Sequence, residues 1–452
     1  MKIIIAGAGR VGGTLAEVLT KEGHNVAVID RDSDTINRIS VAADVICIEG
    51  SATDPEALME AEAESADLLI AATEKDEINM VSSIIAKKMG TDYVIARVRD
   101  PEYLGKTQFL QDAFGISLFV NPEHECAKEI SRILRFPSAA RVDSFSKGSI
   151  EIVEHKVAAG GKLDGTEIKS FSKISPAKVL VSLVEREGEI IIPNGSLVLK
   201  ADDRLSITGT PNDLRRFFID IGAYKKPVKS VIIMGGGRVS VYLANILAES
   251  GIAVSIIEES RERCEELCEL LPDARIICGN ASKSGVLLEE NLKEKDAFIA
   301  LTKDDSNNIV TALYSHNCGV AKTIIMVNHD HFVETLQDTA LDCVVAPKDI
   351  VCQHIIRYVR GISNSEGFNT IETLYKLADG KAEAIEFRIE EGAELIGKPL
   401  RDVSIKDGVL IAAIIRNNKS IIPDGSTVLQ SGDRAIVVTE AGWLEDINDI
   451  VV

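Results

Sequence analysis

The sequence predicts an α/β protein built as a tandem duplication: two Rossmann-like, doubly wound parallel-sheet domains, each followed by a small α+β domain. Three observations predict it. Short Ile/Val-rich runs are separated by helical stretches, the pattern of a parallel sheet covered on both faces. A glycine-rich turn joins the first such run to the first helix. The pattern is also written twice, because IIIAGAGRVGGTLAEVLTKEGHNVAVIDRD near the start returns as VIIMGGGRVSVYLANILAESGIAVSIIEES from Val231.

The elements follow in order. IIIAGA, VAVID, VICIEG, LLIAAT and YVIARV are the expected strands, with a helix over about residues 10–22 after the first. Past Pro137 the character changes. IEIVEHKV, VLVSLVER, LVL and RLSITG cluster or alternate β-branched residues around Pro-Asn-Gly and Ala-Asp-Asp turns, which predicts a small α+β domain. The echo persists: AATEKDEINMV from Ala71 matches ALTKDDSNNIV from Ala300, and EREGEIIIPNGSLVLKADDRLSITG from Glu185 matches RNNKSIIPDGSTVLQSGDRAIVVT from Arg416. So long a period is no solenoid unit but duplication of a two-part module. The expected boundaries are 1–137 and 228–362 for the nucleotide-binding domains, 138–222 and 363–452 for their companions, with the polar stretch 223–229 as linker.

Bulk properties bound the function. A chain of 452 residues exceeds one core, and 45% hydrophobic with 27% charged residues is ordinary globular composition. The net charge of −20 argues against nucleic-acid binding and against direct adsorption to anionic lipid. No apolar run approaches the roughly 20 residues of a membrane span. A strand begins within two residues of Met1, leaving no room for a signal peptide, so a cytoplasmic location is expected and any membrane role runs through a partner. The cysteines are scattered without CxxC pairs, and Cys47 in Val-Ile-Cys-Ile is expected to be a reduced core thiol. Cys264 and Cys268, one helical turn apart, lack a second ligand pair, so no metal is expected.

Gly7-Ala8-Gly9-Arg10-Val11-Gly12 fits GxGxxG between a strand and a helix. Gly7 suits the tight turn, Gly9 the close approach of backbone to a pyrophosphate, and Gly12 close helix–sheet packing. The helix N-terminus offers free N–H groups and the positive end of its dipole. Asp30, ending the second strand, suits ribose hydroxyls and repels a 2′-phosphate, favouring NAD or an adenosine nucleotide over NADP, with Arg31 beside it read as a surface residue. The second copy has Gly235-Gly236-Gly237-Arg238-Val239-Ser240 with Glu258 as the acid; Ser240 replaces the third glycine. The histidines, His24, His124, His155, His316, His329, His331 and His354, do not recur between copies at a catalytic place, and no nucleophile elbow is present. His329 and His331 are read as part of a loop after the fifth strand, and catalysis is not expected.

GAGRVGGTLAEVL, GSATDP at 50–55, ATEKDEINM at 72–80 and IARVRDPEY at 95–103 resemble the RCK/KTN nucleotide-binding family. LDGTEIKS at 163–170 and IIPNGSLVLKADDRLSITG at 191–209 resemble its small C-terminal companion. The resemblance covers the full length and departs at Ser240 and at 326–331, where MVNHDH stands for ARVRDP and the arginine is lost. It implies a nucleotide held by Gly7, Gly9, Arg10, Val11, Gly12, Asp30, Thr73 and Arg97, and in the second copy by Gly235, Gly237, Arg238, Val239, Glu258 and Thr302. NAD or NADH is the implied ligand, with ATP or ADP as alternatives. The family also implies a regulator of potassium uptake, a homotetramer on the inner face of the cell membrane beneath a membrane-embedded transporter subunit. The apolar stripe Ala127, Ile130, Ile133 and Leu134 on the helix from Pro122 to Arg135, with a counterpart from Pro347 to Arg360, would then be a pairing surface; packing within its own domain is the alternative. Other functional readings remain: an NAD-dependent oxidoreductase, a regulator of a different channel or exchanger, and a small-ligand sensor using exposed acidic pairs such as Asp202-Asp203.

Overall fold

The computed structural model describes all residues except 136–141, 224–226, 330–335, 337–340, 342, 366–370, 418, 441–443 and 445. The joint at Pro137, the middle of the expected linker and His331 lie outside the described residues.

The first sheet comprises β1 (Lys2–Ala6), β2 (Asn25–Asp30), β3 (Ile46–Glu49), β4 (Leu68–Ala71), β5 (Tyr93–Arg97) and β6 (Leu118–Val120), all parallel in the order β3-β2-β1-β4-β5-β6. Strand order reverses between β1 and β4, which opens a crevice at their carboxyl ends. Alternation divides β1 between two cores: Ile3 and Ile5 pack with Leu15 and Leu19 on one face, Ile4 and Ala6 with Leu58 and Leu69 on the other. Burial of both faces is why these strands read as unbroken apolar runs. Cys47 is the exception, half-buried rather than a core thiol, because β3 is an edge strand; Cys268 and Cys278 are exposed.

The first companion domain is an antiparallel sheet of β7 (Val142–Phe145), β8 (Ile150–Lys156), β9 (Val179–Arg186), β10 (Glu189–Ile191) and β11 (Arg204–Gly209), backed by the Pro211–Ile221 helix. Its order is β10-β9-β11-β8-β7. The LVL run is no strand; Val198 makes only an isolated bridge to Glu167. Asp203 is no exposed acid either. It is 1% exposed and receives Arg186 at 2.8 and 2.7 Å, a bidentate pair repeated by Arg416 and Asp433.

The second half repeats the plan. β12 (Ser230–Met234), β13 (Ala253–Glu258), β14 (Arg275–Cys278), β15 (Ala297–Ala300), β16 (Lys322–Met326) and β17 (Cys343–Val345) form the parallel sheet β14-β13-β12-β15-β16-β17. β18 (Ile371–Leu377), β19 (Ala382–Arg388), β20 (Val409–Arg416), β21 (Lys419–Ile421) and β22 (Arg434–Glu440) form the antiparallel one.

The halves interlock by exchanging helices. The stripe Ala127, Ile130, Ile133 and Leu134 lies in one core with Val231, Val239, Leu243 and Leu247 of the second copy. Val351, Ile355 and Val359 of the Pro347–Ser365 helix return the favour, entering the core of Ile5, Leu15 and Leu19. Each buried Ile or Leu contributes about 1.5–3 kcal/mol, so this exchange is a large part of what joins the copies. Arg360 donates to Glu22 across the joint at 2.5 and 3.2 Å. The companion sheets also share a core, Phe145, Ile152 and Leu183 meeting Tyr375, Ala412 and Ile436.

Candidate functional site

The first glycine turn sits at the reversal point between β1 and β4. Gly7 has φ +102°, and a Cβ there would lie 2.8 Å from the Thr73 amide nitrogen. Gly12 lies against the turn itself, where a Cβ would come 1.8 Å from the Gly7 carbonyl oxygen. Gly9 differs: nothing lies within 4 Å of where its Cβ would stand. It is also the N-cap of the Arg10–Lys21 helix and supplies no side-chain cap to the first turn. Open space in front of uncapped helix N–H groups is what a phosphate requires.

Asp30 ends β2 and holds the turn from the side, its Oδ2 accepting from Ala8 N–H at 2.6 Å and its Oδ1 from Asp32 N–H at 3.0 Å. Arg10 is exposed and donates to the Asn328 carbonyl of the second copy at 3.3 Å. Val11 is buried in the core, so only its backbone can face the crevice. Across the crevice, the Thr73 N–H and hydroxyl both donate to Asn79 Oδ1, at 2.8 and 2.6 Å. Asn79 Nδ2 donates in turn to the carbonyls of Thr73 at 3.1 Å and Arg97 at 2.8 Å, fastening the ends of β4 and β5 together.

Arg97 ends β5 and points Nη1 at the Thr73 carbonyl, a long 3.4 Å contact. Its Nε is buried with no hydrogen-bond partner. Burial pulls this guanidinium below its ordinary pKa, and neighbouring Arg99 adds to the pull. An underpaired, desolvated cation beside a glycine turn fits an anionic group.

The second crevice keeps the frame and changes the chemistry. Gly235 (φ +98°) would meet Thr302 with a Cβ at 3.1 Å, and Gly237 is an open, uncapped N-cap like Gly9. Glu258 accepts from Gly236 N–H at 2.7 Å and Ser260 N–H at 2.8 Å, reproducing the Asp30 brace. Thr302 repeats the Thr73 bonds with Asn308, at 3.1 and 2.6 Å. Ser240, in the place of Gly12, is accommodated by donating its hydroxyl to the Gly235 carbonyl at 2.6 Å. Arg238 is exposed, and Val239 is buried like Val11.

The arginine is lost, with the register one residue from that read in the sequence. Asn308 Nδ2 donates to the Met326 carbonyl at 2.9 Å as Asn79 does to Arg97, so Met326 is the counterpart. Asp76 caps the Arg99 N–H at 2.9 Å, and Asp305 caps the Asn328 N–H at 3.0 Å. His329 Nδ1 lies 2.7 Å from the same Asp305, which accounts for that histidine as a loop brace. Among the described residues no cluster of three or more His, Cys, Asp or Glu side chains is placed to hold a metal.

Asn79 and Asn308 were not singled out from the sequence, although both lie inside the matched segments at 71 and 300; both are fully buried. Tyr242 was also missed. Its hydroxyl accepts from Asn121 at 3.0 Å and donates to the Arg99 carbonyl at 3.3 Å, tying the second copy to the loop after β5. Two cavities lie away from the turns. One, about 820 Å³, separates the companion domains near Lys169, Lys178 and Lys406. The other, about 340 Å³, lies near His124, Lys128 and His354 where the exchanged helices meet.

Fold and site together define a class: tandem Rossmann-type crevice domains, each with an antiparallel companion. The TrkA-N domain matches residues 3–122 and 231–347, and the TrkA-C domain residues 152–219 and 384–451; the chain belongs to the TrkA family. It is 34% identical over 451 residues to the Trk system potassium uptake protein TrkA homolog of Archaeoglobus fulgidus, covering 100% of both chains. It is 31% identical over 444 residues to the Trk system potassium uptake protein TrkA of Vibrio alginolyticus, covering 97% of this chain and 95% of that one. The fold is similar to that of the GsuK channel bound to NAD, with TM-score 0.62 and 20% identity over 97% of this chain and 76% of that chain. It is similar too to the GsuK RCK domain, with TM-score 0.61 and 20% identity over 97% and 92%. No helix among the described residues is long and apolar enough to cross a membrane.

Proposed function

We propose that this chain is a cytoplasmic, nucleotide-binding regulatory subunit that gates a membrane potassium-uptake system and is not itself a catalyst. Kinship over the full length with Trk potassium uptake proteins supports the choice of system. The observation that carries the mechanism is the interlock of crevice and interface. Arg10 of the first glycine turn touches the second copy at Asn328, and Tyr242 of the second copy touches the Arg99 loop of the first. A ligand in the first crevice therefore bears on the joint between copies.

The first crevice takes NAD or NADH, with ATP or ADP as competitors. Phosphates lie over Gly7, Gly9 and Gly12 on the N–H groups of Arg10 and Val11, Asp30 receives ribose hydroxyls, and Thr73 and Arg97 close the far side. Arg97 Nε gains the partner it lacks. The second crevice uses Gly235, Gly237, Arg238, Val239, Glu258 and Thr302 without a counterpart to Arg97. Nucleotides of different shape and charge select between two arrangements of the interlocked copies, and a ligand with equal affinity for both shifts nothing. Four chains assemble as a homotetrameric ring on the inner face of the membrane and pass that selection to the transporter subunit.

The test is potassium flux through the membrane subunit reconstituted in vesicles with this chain. Flux that responds in opposite senses to two competing nucleotides is expected. Flux indifferent to every nucleotide, with the chain stably bound, would overturn the regulatory reading.

A further inference from the structure

Two thiols lie beside Glu258 at the lip of the second crevice. Cys278 ends β14 and pairs in parallel register with Glu258, the last residue of β13. Gly279, the next residue, donates its N–H to the Glu258 carbonyl at 2.8 Å. The same carbonyl accepts from the thiol of Cys264, on the Arg261–Leu270 helix, at 3.4 Å. Two cysteines from different elements thus flank Glu258, one as its register partner on the neighbouring strand and one as donor to its carbonyl. Disulfides demand close, correctly aimed Cβ positions, and two cysteines that flank one residue are candidates for that pairing. The first copy has nothing comparable: Glu49 pairs with Asp30 where Cys278 pairs with Glu258, and Ile36 stands six residues after Asp30 as Cys264 does after Glu258.

We propose that Cys278 and Cys264 form a peroxide-responsive dithiol–disulfide switch beside the second crevice. Their environments divide the roles. Cys278 is exposed, whereas Cys264 is 6% exposed and burial pushes its thiol up to about 11. The Cys278 thiolate attacks one oxygen of hydrogen peroxide; the O–O bond breaks, the leaving hydroxide takes a proton to become water, and Cys278 is left as a sulfenic acid. The Cys264 sulfur then attacks the Cys278 sulfur, the S–O bond breaks, and the departing hydroxyl leaves as water with the Cys264 proton. Two thiols are oxidised and one peroxide is reduced to two waters. A dithiol reductant reverses the step. The link ties the first turn of the helix to the sheet, and Arg263 on that turn donates to the Gly236 carbonyl at 2.8 Å, so the second glycine turn is restrained with it.

The full-length chain is treated with hydrogen peroxide, alkylated, digested and read by mass spectrometry, with and without dithiothreitol. A reducible peptide joining Cys264 to Cys278 is expected, and it is lost in Cys278→Ser, a substitution at an exposed side chain that leaves the core intact. Over-oxidation of Cys278 to the sulfinic acid with Cys264 still alkylatable would overturn the proposal. So would a link from Cys278 to exposed Cys268, or no reaction at all. The readout is a covalent mass and is independent of nucleotide binding.

Discussion

Gly9 and Gly12 belong to one motif, yet the structure gives them opposite tasks, and replacing each by alanine separates the two. At Gly12 an added methyl lies 1.8 Å from the Gly7 carbonyl oxygen, so the helix must move by more than an ångström. Overpacking of that kind costs about 1–3 kcal/mol or more. At Gly9 the methyl meets nothing within 4 Å, and φ is −65°, which any residue adopts. The cost to folding there is limited to the poorer N-cap, at most about 1 kcal/mol. The same methyl fills the space through which a phosphate would reach the helix N-terminus. Losing one charge-assisted hydrogen bond and part of the dipole interaction removes about 2–3 kcal/mol of binding, a drop in affinity of roughly 30- to 150-fold. The assay is calorimetric titration of NADH into Gly9→Ala, with Gly237→Ala in the background so that only the first crevice is read, alongside thermal melts of each variant. Gly9→Ala should melt near the parent and bind weakly, whereas Gly12→Ala should melt early. Undiminished affinity in Gly9→Ala would refute the phosphate cradle, and an early melt would refute the open space.

Further predictions follow from neighbouring residues. Arg97→Met, copying Met326, removes a buried cation whose Nε has no partner; thermal melts should show unchanged or higher stability without ligand, while calorimetry shows nucleotide affinity at least tenfold weaker. Asp30→Ala should weaken NADH binding, and it also releases the Ala8 and Asp32 N–H groups, so denaturant titration should show a loss of about 1–3 kcal/mol with the fold retained. Asn79→Ala empties a fully buried side chain that serves both Thr73 and Arg97, and a loss of about 2–4 kcal/mol should appear in the same titration. Burial works against ionisation of Glu125, yet His124, Lys128 and His354 together hold its carboxyl down to about 2. A depressed folded pKa contributes stability that is complete above the unfolded carboxyl range and disappears as pH falls toward 2. Urea unfolding from pH 5 to pH 3 should therefore lose stability that Glu125→Gln does not lose.

The sequence spoke most clearly where burial is symmetric. The strands flanking both glycine turns are covered on two faces, so their Ile/Val runs stand out and the repeat makes each copy a check on the other. Short strands such as Leu118–Val120 and Val142–Phe145 carry too few residues for a period and were not read. The stripe on the Pro122–Arg135 helix was legible, but its partner was not, since Ala127 and Ile130 satisfy either copy's core equally well by composition. Asn79 reads in sequence as a polar helical surface residue; only the convergence of β4 and β5 shows why it is buried. Asp203 misled for a similar reason. Its burial depends on Arg186, which reaches it from a neighbouring strand. The one-residue slip at Met326 arose because MVNHDH shares too few residues with ARVRDP to fix the register.

The central claim is that these crevices hold nucleotide. Its most direct test is titration of NAD, NADH, ATP and ADP into the purified chain by calorimetry, with oligomer mass read by light scattering in the same samples. Saturable, mutually competitive binding at the first crevice of a tetramer, abolished with Arg97→Met and Gly9→Ala combined, is the expected result. A folded tetramer that binds none of the four nucleotides would contradict the account.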